Sequence, residues 1–406
     1  DGIEIADVRA LTIEGNGFSI DGDDRAGLFN LKNSKVVFKN ITFKNAVTQD
    51  SSIFENDAQT IFINCRFINN HPSYNKSLIN NKGQVKLENC RFINNLSKNR
   101  ALISNDNEFE IKGCEFSLNS NEKSTIANSG KLSIDNSKFI NNHSDENAGA
   151  LRNEKEARLL VENTLFKSNS TSASGGAVLN FGELLFIGCL FESNFSDGDG
   201  GVINNEKDAN LEIKDSDIIN NSSKGDGGAV INWGNLSFKN SIFSDNTARK
   251  DGGVVNIQKG SLLIEDCEFN KNSAFDGGSL FNRGDLRIEN SRFEDNTAKK
   301  DGGALNTYDG NIEIINTHFM KNNADDGGAI YSREGEILIL GSEFLQNTGG
   351  INGGAIITWC EMTIEDSRLL QNSAKIYGGA INNQKNPLSL KNCEFSKNNA
   401  DTGGES

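Results

Sequence analysis

The chain of 406 residues holds only two prolines, Pro72 and Pro387. Proline removes an inter-strand donor, so its scarcity leaves strand pairing uninterrupted. No run of eighteen apolar residues occurs, which excludes a helical membrane span in this segment. Two tryptophans and four tyrosines supply a sugar-stacking groove poorly. The three histidines, His71, His143 and His318, are scattered and form no cluster. Basic residues are outnumbered, 41 against 56, for a net charge of −15. No basic stripe tracks a phosphate backbone, which argues against nucleic acid and against charge-driven binding to acidic membranes. No amphipathic stretch of ten residues with few glycines occurs, so helical repeats are excluded as well.

What the chain has is a repeat of 23 to 27 residues. A phenylalanine is followed three residues later by asparagine at Phe67/Asn70, Phe92/Asn95, Phe116/Asn119, Phe139/Asn142, Phe166/Asn169, Phe191/Asn194, Phe243/Asn246, Phe269/Asn272, Phe293/Asn296, Phe319/Asn322, Phe344/Asn347 and Phe395/Asn398. Ile218/Asn221 and Leu369/Asn372 keep the asparagine only. A fixed period of this size marks a stacked array in which each repeat touches its neighbours.

Within a repeat the apolar residues alternate, as in Leu132, Ile134, Ser137 and Phe139, with a slip at Asp135-Asn136. Period two is the strand signal, and the polar slip is a bend. Upstream of the later strand pairs stands a glycine pair, as in Gly227-Gly228-Ala229-Val230 and Gly353-Gly354-Ala355-Ile356. Glycine accepts backbone angles that other residues resist. The short strand that follows ends at a polar residue, at Asn180, Asn205, Asn232, Asn282 and Asn383. Three strands and three turns make one coil of a parallel β-helix, all-β, with about fifteen coils in a single domain over residues 1–406. The turns are too short and polar for leucine-rich repeats. Parallel crossovers are right-handed by rule. Residues 1–45 form entry coils, 46–150 lack the glycine pair, and 151–406 are regular. Both ends, Asp1-Gly2-Ile3 and Gly403-Gly404-Glu405-Ser406, look cut from a longer protein. Stacked phenylalanines fill the inside, and asparagines stack at the bends, where their amides can bond along the array and the backbone can turn left-handed.

Six of seven cysteines (Cys65, Cys90, Cys114, Cys189, Cys267, Cys393) share a column with serine and threonine, and Cys360 lies elsewhere. The column suits buried small residues. The odd count argues against a disulfide framework, although Cys65, Cys90 and Cys114 occupy consecutive coils. Asn-x-Ser/Thr glycan acceptor patterns fall at one recurrent position, at Asn95, Asn142, Asn169, Asn194 and Asn221. No regular threonine row of the ice-binding kind occurs.

In six successive coils the residue before the glycine pair is an aspartate: Asp199, Asp226, Asp251, Asp276, Asp301 and Asp326. Stacked carboxylates repel unless offset by cations, by backbone N–H groups of the glycine turn, or by calcium. Turn caps and a calcium line are the two readings. No other cofactor is expected. Catalysis on such a fold needs a local cluster of carboxylates with a base, and a regular column is not one.

Alternating Gly-Gly-Ala-Ile and Phe-x-x-Asn resembles the passenger repeats of polymorphic outer-membrane autotransporters and, more closely, archaeal adhesin-like proteins with right-handed parallel β-helix repeats. The segments Leu11–Gly22 and Val36–Asn45 are similar to the entry coils of such proteins and of pectate-lyase-like folds. The resemblance implies secretion, surface display and adhesion to another cell, a host surface or a polysaccharide, without catalysis. It departs in lacking carboxy-terminal barrel strands, and no catalytic residue of the lyase families maps onto this chain. A polysaccharide lyase or hydrolase, and a surface sheath or spacer that associates laterally, are the alternatives. The calcium reading has a direct test: millimolar calcium raises the melting temperature and EDTA lowers it, whereas turn-capping aspartates respond to neither.

Overall fold

The computed structural model describes residues 3–24, 28–48 and 51–402. The expected opening at Asp1 and the closing Gly403–Ser406 lie outside them. The chain divides into two compact units, Asp1–Asp197 and Gly198–Ser406. Each is a β-helix wound from parallel strands. Eight strands from Ser19–Asp21 to Leu190–Glu192 carry the phenylalanine column of the first unit, and eight from Asp217–Ile219 to Glu394–Ser396 carry that of the second. That is one turn more than the sequence suggests. The extra turn is the entry coil, where Ile20 heads the column opposite Phe43 and Phe18 is turned out to solvent.

One coil of the first unit shows the pattern. Arg158–Glu162, Leu165–Lys167, Ser170–Thr171 and Val178–Asn180 follow in order. Each pairs with its counterpart in the adjacent coils, Leu159 with Leu132 and Leu184, Phe166 with Phe139 and Phe191. Three faces result, but not the three expected. The strand after the glycine pair runs on in the same sheet as the Leu-x-Ile strand, and in the first coils Phe29–Lys39 spans both. The third face is the two-residue strand after Phe-x-x-Asn, as in Ser170–Thr171 paired with Phe195–Ser196. No residue between Asn180 and Glu183 takes positive φ, so in this coil the chain passes from one strand to the next without a sharp corner.

Positive φ recurs instead at two other positions in every regular coil. One is the second residue of the polar slip, as at Asn136 (φ 47°) and Asp266 (φ 54°). The other is the residue just before the column asparagine, as at Asn141 (φ 54°) and Lys271 (φ 54°). The column asparagines themselves are not the left-handed residues. They are buried and serve as hydrogen-bond hubs. Asn142 Nδ2 donates to Asn169 Oδ1 at 3.0 Å and to the Phe116 carbonyl at 2.9 Å. Its Oδ1 accepts from the Asn119 backbone N–H at 3.1 Å and from Asn119 Nδ2 at 2.9 Å. Both donors and both lone pairs of the amide are thus used, which meets the requirement that buried polar groups be paired. The same ladder runs Asn70 to Asn194 in the first unit and Asn221 to Asn398 in the second. Asn95, Asn142, Asn169, Asn194 and Asn221 all lie on it, buried. The glycan acceptor pattern at these positions is therefore closed to modification in the folded chain.

A second ladder joins Asn56, Asn81, Asn105, Asn128, Asn153 and Asn180, each Nδ2 to the next Oδ1 at 2.7–3.0 Å. In the second unit Asn205 donates to Asn232, then Ile257 interrupts, and Asn282 meets Thr307. Asn383 is not part of it. It is exposed in the final coil and donates to the Asn386 carbonyl.

The aromatic column stacks face over face. Centroids from Phe67 through Phe92, Phe116, Phe139 and Phe166 to Phe191 are 4.3–5.1 Å apart, with planes within 13°. Phe243, Phe269, Phe293, Phe319 and Phe344 do the same at 4.5–5.0 Å. Phe395 differs: it sits over Leu369 in the last described coil and is only half-buried. The neighbouring column must be small and polar because each side chain accepts the backbone N–H of the coil before, as from Cys114 to Ser137 Oγ (3.1 Å) and from Thr317 to Ser342 Oγ (3.1 Å). All seven cysteines are free thiols, those of three consecutive coils included. No helix long and apolar enough to cross a membrane occurs among the described residues.

Asn142→Ala strands a carbonyl, a backbone N–H and an amide in the interior, each unpaired group costing about 1–3 kcal/mol. Asn141→Ala, at the exposed corner one residue earlier, loses only the left-handed preference, about 1–2 kcal/mol. Urea denaturation should rank the two in that order, with Asn142→Ala losing more than about 3 kcal/mol by the same count of unpaired groups.

Candidate functional site

The site grows from the glycine pairs of the second unit. The first glycine of each takes positive φ, as at Gly252 (φ 69°), and folds the chain back onto the strand it precedes. A Cβ there would meet the Val255 carbonyl oxygen at 2.2 Å, and one on Gly253 would meet the Gly278 carbonyl oxygen at 2.1 Å. Only glycine fits at either position. The turn carries the aspartate that precedes it and lies over the outward side of the strand. That side is a column of Ile231, Asn256, Phe281, Asn306, Tyr331 and Ile357, each opposite the next. All but Tyr331 are buried although they point away from the core.

The six aspartates are brought together as the sequence predicts, in successive coils at one edge. The offset is not the expected bond from the glycine N–H. Asp199, Asp226 and Asp276 each accept the backbone N–H of the aspartate in the next coil, at 2.8, 3.1 and 3.1 Å. Asp326 accepts from Asn352 Nδ2 at 2.9 Å. Asp301 pairs with Lys300 at 3.2 Å. Burial pushes Asp251 up to about 6, helped by the charges of Asp226 and Asp276 and opposed by Arg283 and Lys250. Burial and Asp276 push Asp301 to about 6 despite Lys300. Asp226 and Asp276 are also raised, burial again first. Among the described residues no three acidic, histidine or cysteine side chains converge as a metal cage.

Two residues beyond the buried column runs a second: Trp233, Arg283, Tyr308 and Arg333 are exposed in it, and Gln258 and Trp359 half-buried. Each hangs by its backbone N–H from the coil before, Tyr308 from the Asn282 carbonyl at 2.8 Å and Arg333 from that of Thr307 at 3.0 Å. Here guanidinium and aromatic planes alternate. Arg283 lies 5.1 Å from the Phe281 ring and 5.5 Å from that of Tyr308, and Arg333 lies 5.0 Å from the Tyr308 ring. Such contacts contribute about 0.5–1 kcal/mol each at exposed sites. Tyr331 and Trp359 meet at 5.1 Å with planes tilted by 51°. Burial and the charge of Asp301 push the Tyr331 hydroxyl up to about 12, so it stays a donor. A groove of about 750 Å³ opens between Tyr331, Arg333 and Trp359, with Lys300 and Lys385 at its rim.

Composition missed this gathering. The chain is poor in tryptophan and tyrosine, yet both tryptophans and two of the four tyrosines share these two columns. Aligning the coils on the glycine pair would have found them. Burial pushes the Cys189 thiol up to about 11 and that of Cys267 to about 12, which keeps both protonated near neutral pH.

The family model described as "Right handed beta helix region" matches residues 53–218. The fold is a right-handed parallel β-helix. Among solved structures this β-helix is similar to the periplasmic alginate epimerase AlgG, at 9% identity, over 82% of this chain and 77% of that one, with a TM-score of 0.42. It is also similar to the PL6 family alginate lyase AlyGC, at 11% identity, over 97% and 85%, with a TM-score of 0.27. At such values neither likeness bears on what this chain binds. No curated protein matches the sequence.

The raised aspartates set a sign. An unfolded aspartate releases its proton near 3.8, whereas folded Asp251 holds it to about 6. The folded state therefore binds more protons in between, and this contribution to stability, full below about pH 4, is lost as pH rises through 6. Asp251→Asn should raise the melting temperature by a few degrees at pH 7.5 and leave it unchanged at pH 4, read by circular dichroism.

Proposed function

We propose that the β-helix is the displayed, ligand-binding part of an extracellular adhesin, and that it holds polysaccharide chains along the aromatic and guanidinium column of the second unit without cleaving them. The observation that carries this is the alternation Arg283, Tyr308, Arg333 beside the Tyr331–Trp359 pair. Flat aromatic rings offer an apolar face to the C–H side of a sugar ring, and guanidinium donors fork toward its oxygens. Coils repeat about every 4.8 Å, so a polymer laid along the column meets related chemistry at each step. Many modest contacts in a row give retention without a deep pocket.

One observation favours a second reading, a carbohydrate-active enzyme. Asp251 and Asp301 titrate near 6, where a carboxylic acid can protonate a leaving group at neutral pH. Adjacent carboxylates with Lys300 beside them also meet the local requirement of acids near a base. Two coil steps separate Asp251 from Asp301, roughly 9.6 Å, at the outer edge of the separation used by inverting glycosidases. The base is less well met, because Lys300 is raised by Asp301 and stays protonated.

Incubation with a panel of plant and microbial polysaccharides separates the readings. Retention on the polymer with quenched tryptophan fluorescence, and no release of reducing ends or unsaturated sugars, is the expected result. Trp359→Ala should weaken retention five- to tenfold, about 1–1.5 kcal/mol. Release of products that Asp251→Asn abolishes would establish the enzyme instead.

A further inference from the structure

We infer that the groove at Tyr331, Arg333 and Trp359 selects acidic sugars, those carrying a carboxylate or sulfate, over neutral ones. The inference rests on the glycan reading above and goes on to name the class of glycan. The chain as a whole is strongly acidic, and several of its exposed cations are neutralised in ion pairs with the next coil, such as Arg158 with Glu183, Lys167 with Glu192, and Arg368 with Glu343 and Glu394. The groove holds cations that are not paired in this way. Arg333 stands on the Tyr308 ring and forms no ion pair with any described residue. Lys385, across the groove, forms none either. Lys300 is held by Asp301 at 3.2 Å and Glu334 is the one acid in the wall, so two positive charges are left over against one negative.

Those charges flank a surface already shaped for a ring. Tyr331 and Trp359 tilt together at 51° and form the floor, and the groove of about 750 Å³ lies within the range of small-ligand sites. A guanidinium presents parallel N–H donors that match a carboxylate or sulfate, and an ammonium adds a point charge. A sugar seated on Trp359 directs an equatorial anionic group between Arg333 and Lys385, where the Tyr331 hydroxyl is a further donor. Neutral sugars offer these cations hydroxyl oxygens alone and gain less from them than an anionic group does. Asp276, Asp301 and Asp326 lie close enough to act on the Tyr331 hydroxyl, so an anionic group is favoured only on the side of the groove where Arg333 and Lys385 stand.

The full chain is titrated with polygalacturonate, heparin and dextran by isothermal calorimetry at about 50 mM and about 300 mM NaCl, spanning strong and weak screening. Acidic polymers are expected to bind at least tenfold more tightly than dextran at low salt and to weaken at high salt. Arg333→Gln and Lys385→Gln should each weaken acidic polymers about five- to tenfold, and Lys385→Gln should leave the melting temperature and dextran binding unchanged. Lys385 is exposed and makes no structural bond, so that variant carries the test even where Arg333→Gln disturbs the stack. Equal affinity for dextran, or no effect of either variant, overturns the selection and leaves glycan binding standing. No binding to any polymer, under conditions where the wider polysaccharide panel is also silent, overturns both.

Discussion

Every column in this molecule obeys one constraint: strands of adjacent coils lie about 4.8 Å apart, and whatever occupies a position must tolerate its own kind at that distance. Phenylalanine tolerates it because offset rings attract at that separation, and the centroid spacings of 4.3–5.1 Å in the first unit show the rings following the backbone step. Asparagine tolerates it better than any other polar residue. Its amide has as many donors as acceptors, so each can receive from one neighbour and give to the next without a remainder, as Asn142 does between Asn119 and Asn169. The aromatic stack supplies burial but is indifferent to small slips. The amide ladder is directional and fixes the register, because a shift of one residue would place these amides outside and the charged neighbours inside.

The same constraint penalises charge. Aspartates in successive coils repel, and the chain answers by giving alternate carboxylates a backbone N–H. Asp226 and Asp276 accept from the next coil, whereas Asp251 and Asp301 are the two whose affinity for protons rises furthest. Elsewhere the answer is to alternate sign, so that Arg158 faces Glu183 and Lys239 faces Glu265. Exposed pairs of this kind add little to stability, about 0–1 kcal/mol. Their effect here is to remove repulsion from stacked positions.

Much of the fold was legible in the sequence because the repeat multiplies weak signals. A single Phe-x-x-Asn says nothing, but twelve at a regular interval specify a stacked column. The corners at Asp135-Asn136 and Glu265-Asp266 were visible as breaks in period two. The third face was not, since a two-residue strand such as Ser170–Thr171 is too short to show alternation. Nor was it visible that the left-handed residue precedes the column asparagine. Lys271, Lys321 and Gln346 take that conformation, and no propensity would nominate them. The aspartate line was legible, and the aromatic column beside it was not, because composition counts residues and the site depends on which coils they occupy.

Why the aromatic column stands in the second unit follows from the glycine pairs. In the first unit the corresponding outward positions are Lys82, Asp106, Ser129, Glu154 and Phe181, each hung from the coil before in the same way. The backbone is thus equivalent, and the difference lies underneath. Coils before residue 149 lack the pair, so no tight glycine turn closes over the outward side of their short strands. In the second unit the turn packs directly on that side, with Gly200 and Gly327 placed so that a Cβ would lie 3.0 Å from Ile231 and Ile357. Ile231 and Phe281 are buried there as an apolar shelf outside the core. A shelf of this kind gives the stems of Arg283 and Arg333 and the rings of Tyr308 and Trp359 something to pack against, and long side chains that would otherwise sample many rotamers are held in one plane. The glycine pair thus makes the binding surface as well as the turn: without it the same residues would still occur every 25 or so positions, but as separate solvated side chains.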